Sequence, residues 1–208
     1  MTDLAAVDAR LVAPADLPRC RDELRAVYRA AFSQEPYFET DGHAPRFAAR
    51  LASRAEADGF RCATARVPNG ELIGFAFGLT SDPLADPPFY SALIDDVGLW
   101  VAARWLLGQF ELIELAVVPS WQGRGVGGLL HDLTLETVSQ PRAWLLVHPL
   151  APARGFYLMR GWLELGHHHT GHRWLVVMGR PLRAPSPRRH TAHATVLRLT
   201  HDPWSASP

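Results

Sequence analysis

The residues with the clearest chemical signature form a glycine-rich segment in the middle of the chain. It reads Gln-Gly-Arg-Gly-Val-Gly-Gly over residues 122–128, between a predicted strand that ends at Val118 and a predicted helix over Gly127–Ser139. Glycine has no Cβ, so the backbone can approach a bound anion closely, and the free N–H groups of a helix's first turn point toward that anion. The segment therefore predicts a phosphate or pyrophosphate site, with a tight turn that binds nothing as the alternative.

Three kinds of phosphate-binding loop have to be distinguished. A P-loop requires a Gly-Lys pair, which is excluded because all 21 Lys and Arg residues are arginine. The dinucleotide pattern GxGxxG is matched by Gly123, Gly125 and Gly128, but that fingerprint expects an acidic residue about 20 positions later, at the end of the next strand. Here that strand ends at Val147-His148-Pro149 without an acid, so dinucleotide binding is the weaker alternative.

The third kind is the loop of the GNAT family of acyl-CoA N-acyltransferases, which the chain resembles in three successive segments. The family signature Gln/Arg-x-x-Gly-x-Gly/Ala is matched by Gln122, Gly125 and Gly127. Leu115–Pro119 resembles the family's Leu-Ala-Val-x-Pro lead-in, and Phe156–Trp162 resembles its Leu/Phe-Tyr-x-x-x-Gly-Phe segment.

The resemblance covers roughly Phe110–Trp162 and implies an enzyme that uses acetyl-CoA, or a close acyl-CoA relative, to acylate an amine. It implies that the pantetheine arm pairs with the backbone of the strand before the loop, as an added strand would, while the loop holds the pyrophosphate. The implied cofactor-binding residues are Leu115, Ala116, Val117, Gln122, Gly123, Arg124, Gly125, Val126, Gly127 and Gly128. The implied fold is α/β, with a mixed, mostly antiparallel central sheet that splays in the middle and helices on both faces.

Tyr157 occupies the position where many members of this family place a general acid. The leaving group is a thiolate whose free thiol has a pKa of about 8.5, so an acid near the sulfur helps the product leave. A phenol has a pKa near 10 and keeps its proton at neutral pH, so it can donate. The alternative is that Tyr157 only packs.

The general base has three candidates, Glu111, Glu114 and His148. Glu111 aligns with a base position used by histone-acetylating relatives, whereas Glu114 lies nearer the expected splay. Strand parity predicts opposite faces for the two glutamates unless a bulge intervenes, and either could be a solvated surface residue. His148 ends the next strand, and an unperturbed histidine pKa of about 6.5 suits a base.

Relatives that acetylate ribosomal-protein N-termini carry a glutamate where this chain has Leu146, so that substrate is not favoured.

Hydrophobic periodicity predicts the elements that position these residues. The predicted strands are Val7–Ala13, Phe60–Val67, Glu71–Thr80, Phe110–Val118, Ala143–His148, Trp162–His169 and Arg173–Arg180. Predicted helices, besides the one after the glycine loop, begin near Asp16 and span Ala44–Ala57 and Ala153–Arg160. This order of strands and helices predicts an α/β sheet with helices on both faces.

Two segments are candidates for shaping the pocket of the amine acceptor, which is predicted to be a small molecule or a peptide. They are the aromatic loop Gln34–Thr40 and the insertion Ser81–Gln109, which is read as an insertion or lid. Carboxylates attract a cationic amine and aromatic faces hold it by cation–π contact. The insertion supplies both, with Asp82, Asp86, Asp95, Asp96, Phe89, Tyr90, Trp100 and Trp105. The alternatives are an insertion that only covers the core, or a homodimer contact through its aromatic residues.

Composition narrows the class of protein. Acidic and basic residues are equal at 21 each, which argues against a nucleic-acid partner. No signal peptide is visible at Met1–Asp8 and no apolar run is long enough to span a membrane, so a cytoplasmic protein is expected. No metal is expected at the histidines of residues 167–172, because on a strand only His167 and His169 share a face and no acid or cysteine completes a set.

Residues 1–182 are predicted to form one GNAT-like domain, since 208 residues suit one sizeable core. Residues 183–208 are predicted to form a tail rich in Pro, Arg and His, in which Ala194–Leu199 could add an edge strand. Because the base is not fixed by the sequence, a non-catalytic acyl-CoA-binding regulatory module is the main alternative function.

Overall fold

A computed structural model describes residues 4–39, 42–171 and 173–182 of the chain. In these residues the strands are β1 (Asp8–Val12), β2 (Arg61–Arg66), β3 (Leu72–Thr80), β4 (Phe110–Val117), β5 (Arg142–Val147), β6 (Leu163–Thr170) and β7 (Arg173–Pro181). The helices are α1 (Leu17–Phe32), α2 (His43–Arg54), α3 (Pro87–Val97), α4 (Leu99–Trp105), α5 (Val126–Leu135) and α6 (Pro152–Met159). Short 3₁₀ turns lie at Leu4–Ala6, Pro14–Asp16 and Pro119–Trp121. The strand considered for Ala194–Leu199 lies outside the described residues.

The strands form one seven-stranded sheet in the order β1-β2-β3-β4-β5-β7-β6. Every neighbouring pair is antiparallel except β4 and β5, which are parallel. This confirms the predicted mixed, mostly antiparallel sheet. The helix after the glycine loop is shorter than predicted and ends at Leu135. Thr137, Val138 and Ser139, which follow it, are weaker helix formers than Leu or Ala.

The sheet splays between β4 and β5. Their registered pairs are Phe110 with Ala143 and Glu111 with Trp144, although β4 continues to Val117 and β5 to Val147. On its other edge β4 stays paired with β3 as far as Val117. The second half of β4 therefore has one edge that β5 does not pair with, and the separation of the two strands there is called the gap.

Helices cover both faces of the sheet. On one face, Val126 and Leu130 of α5 and Tyr157 of α6 join a core that contains Phe110 and Leu112 of β4. On the opposite face, α1 and α2 form a second core with Phe75 and Phe77 of β3 and Ala116 of β4. The helices α3 and α4 form a third core with Trp144 of β5 and Val177 of β7.

The second and third cores lie on the same face of the sheet, because paired neighbours in adjacent strands point the same way. Glu111 pairs with Trp144, and Glu111 also contacts Tyr90 of the third core. The two helix pairs thus cover the two halves of one face, on either side of the gap.

Candidate functional site

The glycine loop joins the open end of β4 to α5. Gly123 has φ +70° and Gly125 has φ +89°, a left-handed conformation that glycine adopts at little cost. Gly125 is the N-cap residue of α5. The Gln122 side chain closes the loop, because its Nε2 donates to the Val117 carbonyl at 2.9 Å. The first turn of α5 therefore presents its N–H groups beside the gap, as an anion site requires.

The other residues predicted to bind the cofactor surround this loop. Leu115, Ala116 and Val117 lie on β4 beyond its last pair with β5, so the edge of the strand facing the gap can pair with an extended chain. Arg124 is exposed and its guanidinium stacks over the Trp121 ring at 5.3 Å. The remaining members, Val126, Gly127 and Gly128, form the first turn of α5.

A bulge in β4 decides where the two candidate glutamates point. Phe77 of β3 pairs with Glu114 and the next residue, Gly78, pairs with Leu112, so β4 has one extra residue there. This bulge interrupts the alternation of side chains between the two faces of the sheet, as the sequence analysis allowed, so Glu111 and Glu114 can lie on the same face. Both glutamates point to the face covered by α1–α4, where Tyr90 of α3 reaches Glu111 and Arg50 of α2 reaches Glu114.

Glu114 lies past the last β4–β5 pair, on the part of the strand that borders the gap. Its Oε1 is 3.5 Å from Arg50 Nη2, and its side chain is 15% exposed. Burial raises the pKa of Glu114 to about 7, against the opposing effect of the Arg50 guanidinium. Burial raises the pKa of Tyr37, in the loop before α2, and of Tyr157 on α6, and the Glu114 carboxyl adds to both effects. Side chains from β4, the α1–α2 loop and α6 therefore approach one another here.

Tyr157 is 7% exposed, and its ring packs edge-on against Phe156 at 5.2 Å and Trp162 at 5.6 Å. Burial raises its pKa above the usual range, and the neighbouring Tyr37 and Glu114 add to that effect. Its hydroxyl therefore stays protonated throughout the physiological pH range and can donate a proton or a hydrogen bond.

His148 stands at the end of β5 and faces the Tyr37 ring, with centroids 6.0 Å apart. Its Nδ1 accepts a hydrogen bond from the Leu150 N–H at 3.2 Å, so in the neutral ring the proton is on Nε2. Burial lowers the pKa of His148, and Arg173 lowers it further. A neutral ring with its one free nitrogen protonated is poorly suited to take a proton from an amine.

Glu111 lies at the closed end of the gap, beside Trp144 on β5. Its Oε2 accepts a hydrogen bond of 3.4 Å from the Tyr90 hydroxyl. Burial raises the pKa of Glu111 to about 7, opposed by Arg54 and Tyr90. The Glu111 carboxyl is therefore held by a hydrogen bond from α3, whereas Glu114 lies near Tyr37 and Tyr157.

Of the two segments considered for the acceptor pocket, the α1–α2 loop reaches this group. Tyr37 packs edge-on against Phe32 at 4.9 Å, and Arg173 of β7 donates to the Tyr37 carbonyl at 3.3 Å. The sequence did not single out Tyr37 or Arg50. The aromatic composition of the loop was the available signal for Tyr37, and nothing local indicated Arg50.

The insertion instead packs on the β5–β7 half of the sheet. Its ends are joined because the Ser81 N–H donates to the Gln109 carbonyl at 2.8 Å. Asp96 fixes α3 to the edge strand β6, since its Oδ2 accepts from the His169 N–H at 2.8 Å and lies 2.8 Å from His168 Nδ1. Trp100 remains 71% exposed.

Within residues 4–39, 42–171 and 173–182, no group of three His, Cys, Asp or Glu side chains is arranged to hold a metal ion, and His172 falls outside this part of the chain. None of the helices in the same residues has the length and apolar character needed to cross a membrane.

Comparison with known proteins agrees with this geometry. The sequence model of the family described as "Acetyltransferase (GNAT) family" matches residues 17–162. No curated protein matches the chain in sequence at a significant level.

Similar solved structures share the fold at low sequence identity. A structure from Corynebacterium glutamicum, described as histone acetyltransferase HPA2 and related acetyltransferase, has TM-score 0.57 and 22% identity, covering 88% of this chain and 99% of that one. The Escherichia coli ribosomal-protein-S18-alanine N-acetyltransferase has TM-score 0.56 and 14% identity, with coverages of 88% and 97%. The PaiA N-acetyltransferase of Thermoplasma acidophilum, solved in complex with coenzyme A, has TM-score 0.52 and 13% identity, with coverages of 84% and 98%.

Proposed function

Because the chain belongs to the GNAT acetyltransferase family, we propose that it transfers an acetyl group from acetyl-CoA to a primary amine. The observation that carries this proposal is the gap between β4 and β5, which leads to the glycine loop and is approached by Glu114 from β4 and Tyr157 from α6. In the proposal, residues 1–182 act as one catalytic domain.

Acetyl-CoA would lie in the gap. Its pantetheine arm would pair with the edge of β4 over Leu115, Ala116 and Val117 that β5 leaves unpaired, where the Val117 carbonyl already accepts from the Gln122 side chain. Its pyrophosphate would accept hydrogen bonds from the first turn of α5. The coenzyme A complex of the T. acidophilum relative supports this class of ligand. Arg124, exposed at the loop, and Arg160, whose guanidinium lies beside Gly128, would supply positive charge near the phosphates.

The chemical step would be direct attack in a ternary complex. The amine nitrogen attacks the thioester carbonyl carbon, the C–S bond breaks, and an amide and the free thiol of CoA result. The proton lost by the amine would pass to the Glu114 carboxylate, directly or through one water, and the sulfur would receive a proton from the Tyr157 hydroxyl. Glu114 suits the task because a pKa of about 7 keeps it basic enough to accept a proton near neutral pH.

The acceptor would enter from the side where the α1–α2 loop presents Tyr37 and the end of β5 presents His148. The aromatic faces and the Glu114 carboxylate favour a cationic amine there. A small metabolite and a peptide N-terminus both meet this description.

The function is tested by a panel of primary amines assayed with acetyl-CoA for release of free thiol. We expect thiol release that depends on at least one amine, and calorimetry should show acetyl-CoA binding. Binding of CoA without thiol release for any amine in a panel of diamines, amino acids, aminoglycosides and peptides would instead support the non-catalytic regulatory module.

The assignment of the base predicts a pH dependence. Because burial raises the pKa of Glu114, the carboxylate form is lost as the pH falls below about 7, so kcat/KM for the amine should decline below that pH. Glu114→Gln should lower kcat/KM by roughly 10²-fold, the lower end of the range for a base, and should remove the acidic limb of the profile.

Glu111→Gln is the matched control for this experiment, since Glu111 lies on the same strand and the same face and its pKa is raised to a similar value. It should change kcat/KM by no more than a few-fold and leave the acidic limb in place. If Glu111→Gln removes the limb and Glu114→Gln retains it, the roles of the two glutamates are reversed.

A further inference from the structure

A buried histidine in α5 has both ring nitrogens engaged. His131 is 0% exposed, and the Trp162 Nε1–H donates to its Nε2 at 3.0 Å. Since Nε2 accepts, the proton of the neutral ring is on Nδ1, which donates to Asp132 Oδ1 at 2.7 Å. Burial lowers the pKa of His131 to about 4, so the ring is neutral at physiological pH. Trp162 lies three residues after the end of α6, so its hydrogen bond to His131 joins α5 to the segment that follows the helix of Tyr157.

A second connection runs between the same two helices. Arg160, at the end of α6, donates from Nη1 to the same Asp132 Oδ1 at 2.7 Å, and its guanidinium stacks on Phe156 at 4.9 Å. The Arg160 guanidinium also fills the space beside Gly128, where an added Cβ would lie 2.1 Å from Nη2. These Arg160 contacts therefore hold α5, which begins at the glycine loop, against α6, which carries Tyr157.

The His131 ring also belongs to the aromatic group that surrounds Tyr157. Its centroid lies 6.0 Å from Trp162, 5.8 Å from Phe156 and 6.4 Å from Tyr157. Trp162 in turn packs against Tyr157, and its backbone N–H donates to the Tyr157 carbonyl at 3.2 Å. A change in the position of Trp162 would therefore move the Tyr157 backbone and ring together.

We propose that His131 is a positioning residue, whose paired hydrogen bonds to Asp132 and Trp162 fix the Tyr157 hydroxyl relative to the glycine loop. This inference rests on the proposed function, because it assumes that the sulfur of CoA lies near that hydroxyl. His131 would touch no substrate, yet it would set how well Tyr157 donates a hydrogen bond to the thiolate.

The test measures the pKa of the CoA thiol when CoA is bound, from the ultraviolet absorbance of the thiolate as pH is raised. A donated hydrogen bond stabilises the thiolate, so Tyr157→Phe should raise the pKa of the bound thiol by about one. His131→Phe keeps a ring and removes both hydrogen bonds, and we expect a similar rise. The double variant should show no further rise, because the hydroxyl that His131 positions is already gone.

Thr134→Val is the matched control. Thr134 is also 0% exposed and lies one turn further along α5, but its hydroxyl donates to the Leu130 carbonyl of the same helix at 2.8 Å. It should lower the melting temperature and leave the pKa of the bound thiol within a few tenths of the wild-type value. In His131→Gln the amide oxygen can accept from Trp162 Nε1–H, so the pKa of the bound thiol should rise less than in His131→Phe. If His131→Phe does not fold, Asp132→Ala is the second variant, because the Asp132 side chain is 61% exposed. It removes the hydrogen bond to Nδ1 and the ion pair with Arg160 while leaving the bond from Trp162, and it should raise the pKa of the bound thiol by less than His131→Phe.

Each outcome decides one question. If CoA does not bind the wild-type protein in calorimetry, the proposed function fails and this inference fails with it. If CoA binds and Tyr157→Phe leaves the pKa of the thiol unchanged, Tyr157 is not the donor and His131 has nothing to position, although the transferase assignment can stand. If Tyr157→Phe raises the pKa and His131→Phe does not, or if Thr134→Val raises it equally, the positioning role is wrong.

Discussion

Gly125→Glu is expected to abolish binding of acetyl-CoA, with Kd raised by roughly 10³-fold or more. The substitution places a carboxylate at the N-cap of α5, where the proposed pyrophosphate lies. Two like charges about 4 Å apart repel by about 4 kcal/mol near a protein surface, which corresponds to about three decades in Kd. Calorimetric titration with acetyl-CoA measures the loss directly.

A second glycine supplies the control for this variant. Gly125 has φ +89°, so any side chain there is strained, and an added Cβ would also meet Leu4 Cδ2 at 2.9 Å. Gly108 has φ +68°, nothing within 4 Å of an added Cβ, and lies before the opposite end of β4. Gly108→Glu therefore adds the same charge with similar backbone strain, and it should retain acetyl-CoA binding. Binding of NAD in place of CoA by the wild-type protein would favour the dinucleotide alternative.

The glycine loop was predictable because its requirements are local. Positive φ angles at Gly123 and Gly125, and a helix that begins at Val126, follow from a short run of adjacent residues. The same holds for the hairpin of β2 and β3, because the Asn69-Gly70 pair between these strands favours a tight turn and the Gly70 N–H donates to the Val67 carbonyl there at 2.8 Å. The splay followed only from resemblance to a family, and the order of the strands in the sheet was not predicted, since no local pattern determines which strands become neighbours.

The arrangement of the candidate site depends on contacts between residues far apart in the chain. Whether Glu111 and Glu114 share a face was decided by a bulge, which reflects how β4 pairs with β3 rather than the composition of β4. Arg50 reaches Glu114 across 64 positions of sequence, and Arg173 reaches the Tyr37 carbonyl across 136. Sequence patterns of a single strand or helix do not contain such information. They give the candidate residues, while the packing of α2 and the α1–α2 loop on the sheet determines which of them lie together.

Tyr157→Phe is expected to lower kcat by 10²- to 10⁴-fold, the range typical of a lost general acid. The phenylalanine keeps the ring contacts with Phe156 and Trp162, so the fold and the affinity for acetyl-CoA should be retained. Steady-state assays with an accepted amine, combined with calorimetry for acetyl-CoA, separate the loss of kcat from a loss of binding.

Tyr90→Phe is the control, because Tyr90 is also a buried tyrosine whose pKa is raised, but its hydroxyl donates to Glu111 at 3.4 Å. The kcat of Tyr90→Phe should stay within about threefold of wild type.

A second measurement examines why Tyr157→Phe loses activity. If Tyr157 protonates the leaving sulfur, a thioester whose thiol has a lower pKa needs less help, and the deficit of Tyr157→Phe should shrink with that substrate. A deficit that is the same for both thioesters would mean that Tyr157 orients the substrate, and an unchanged kcat would mean that solvent protonates the thiolate.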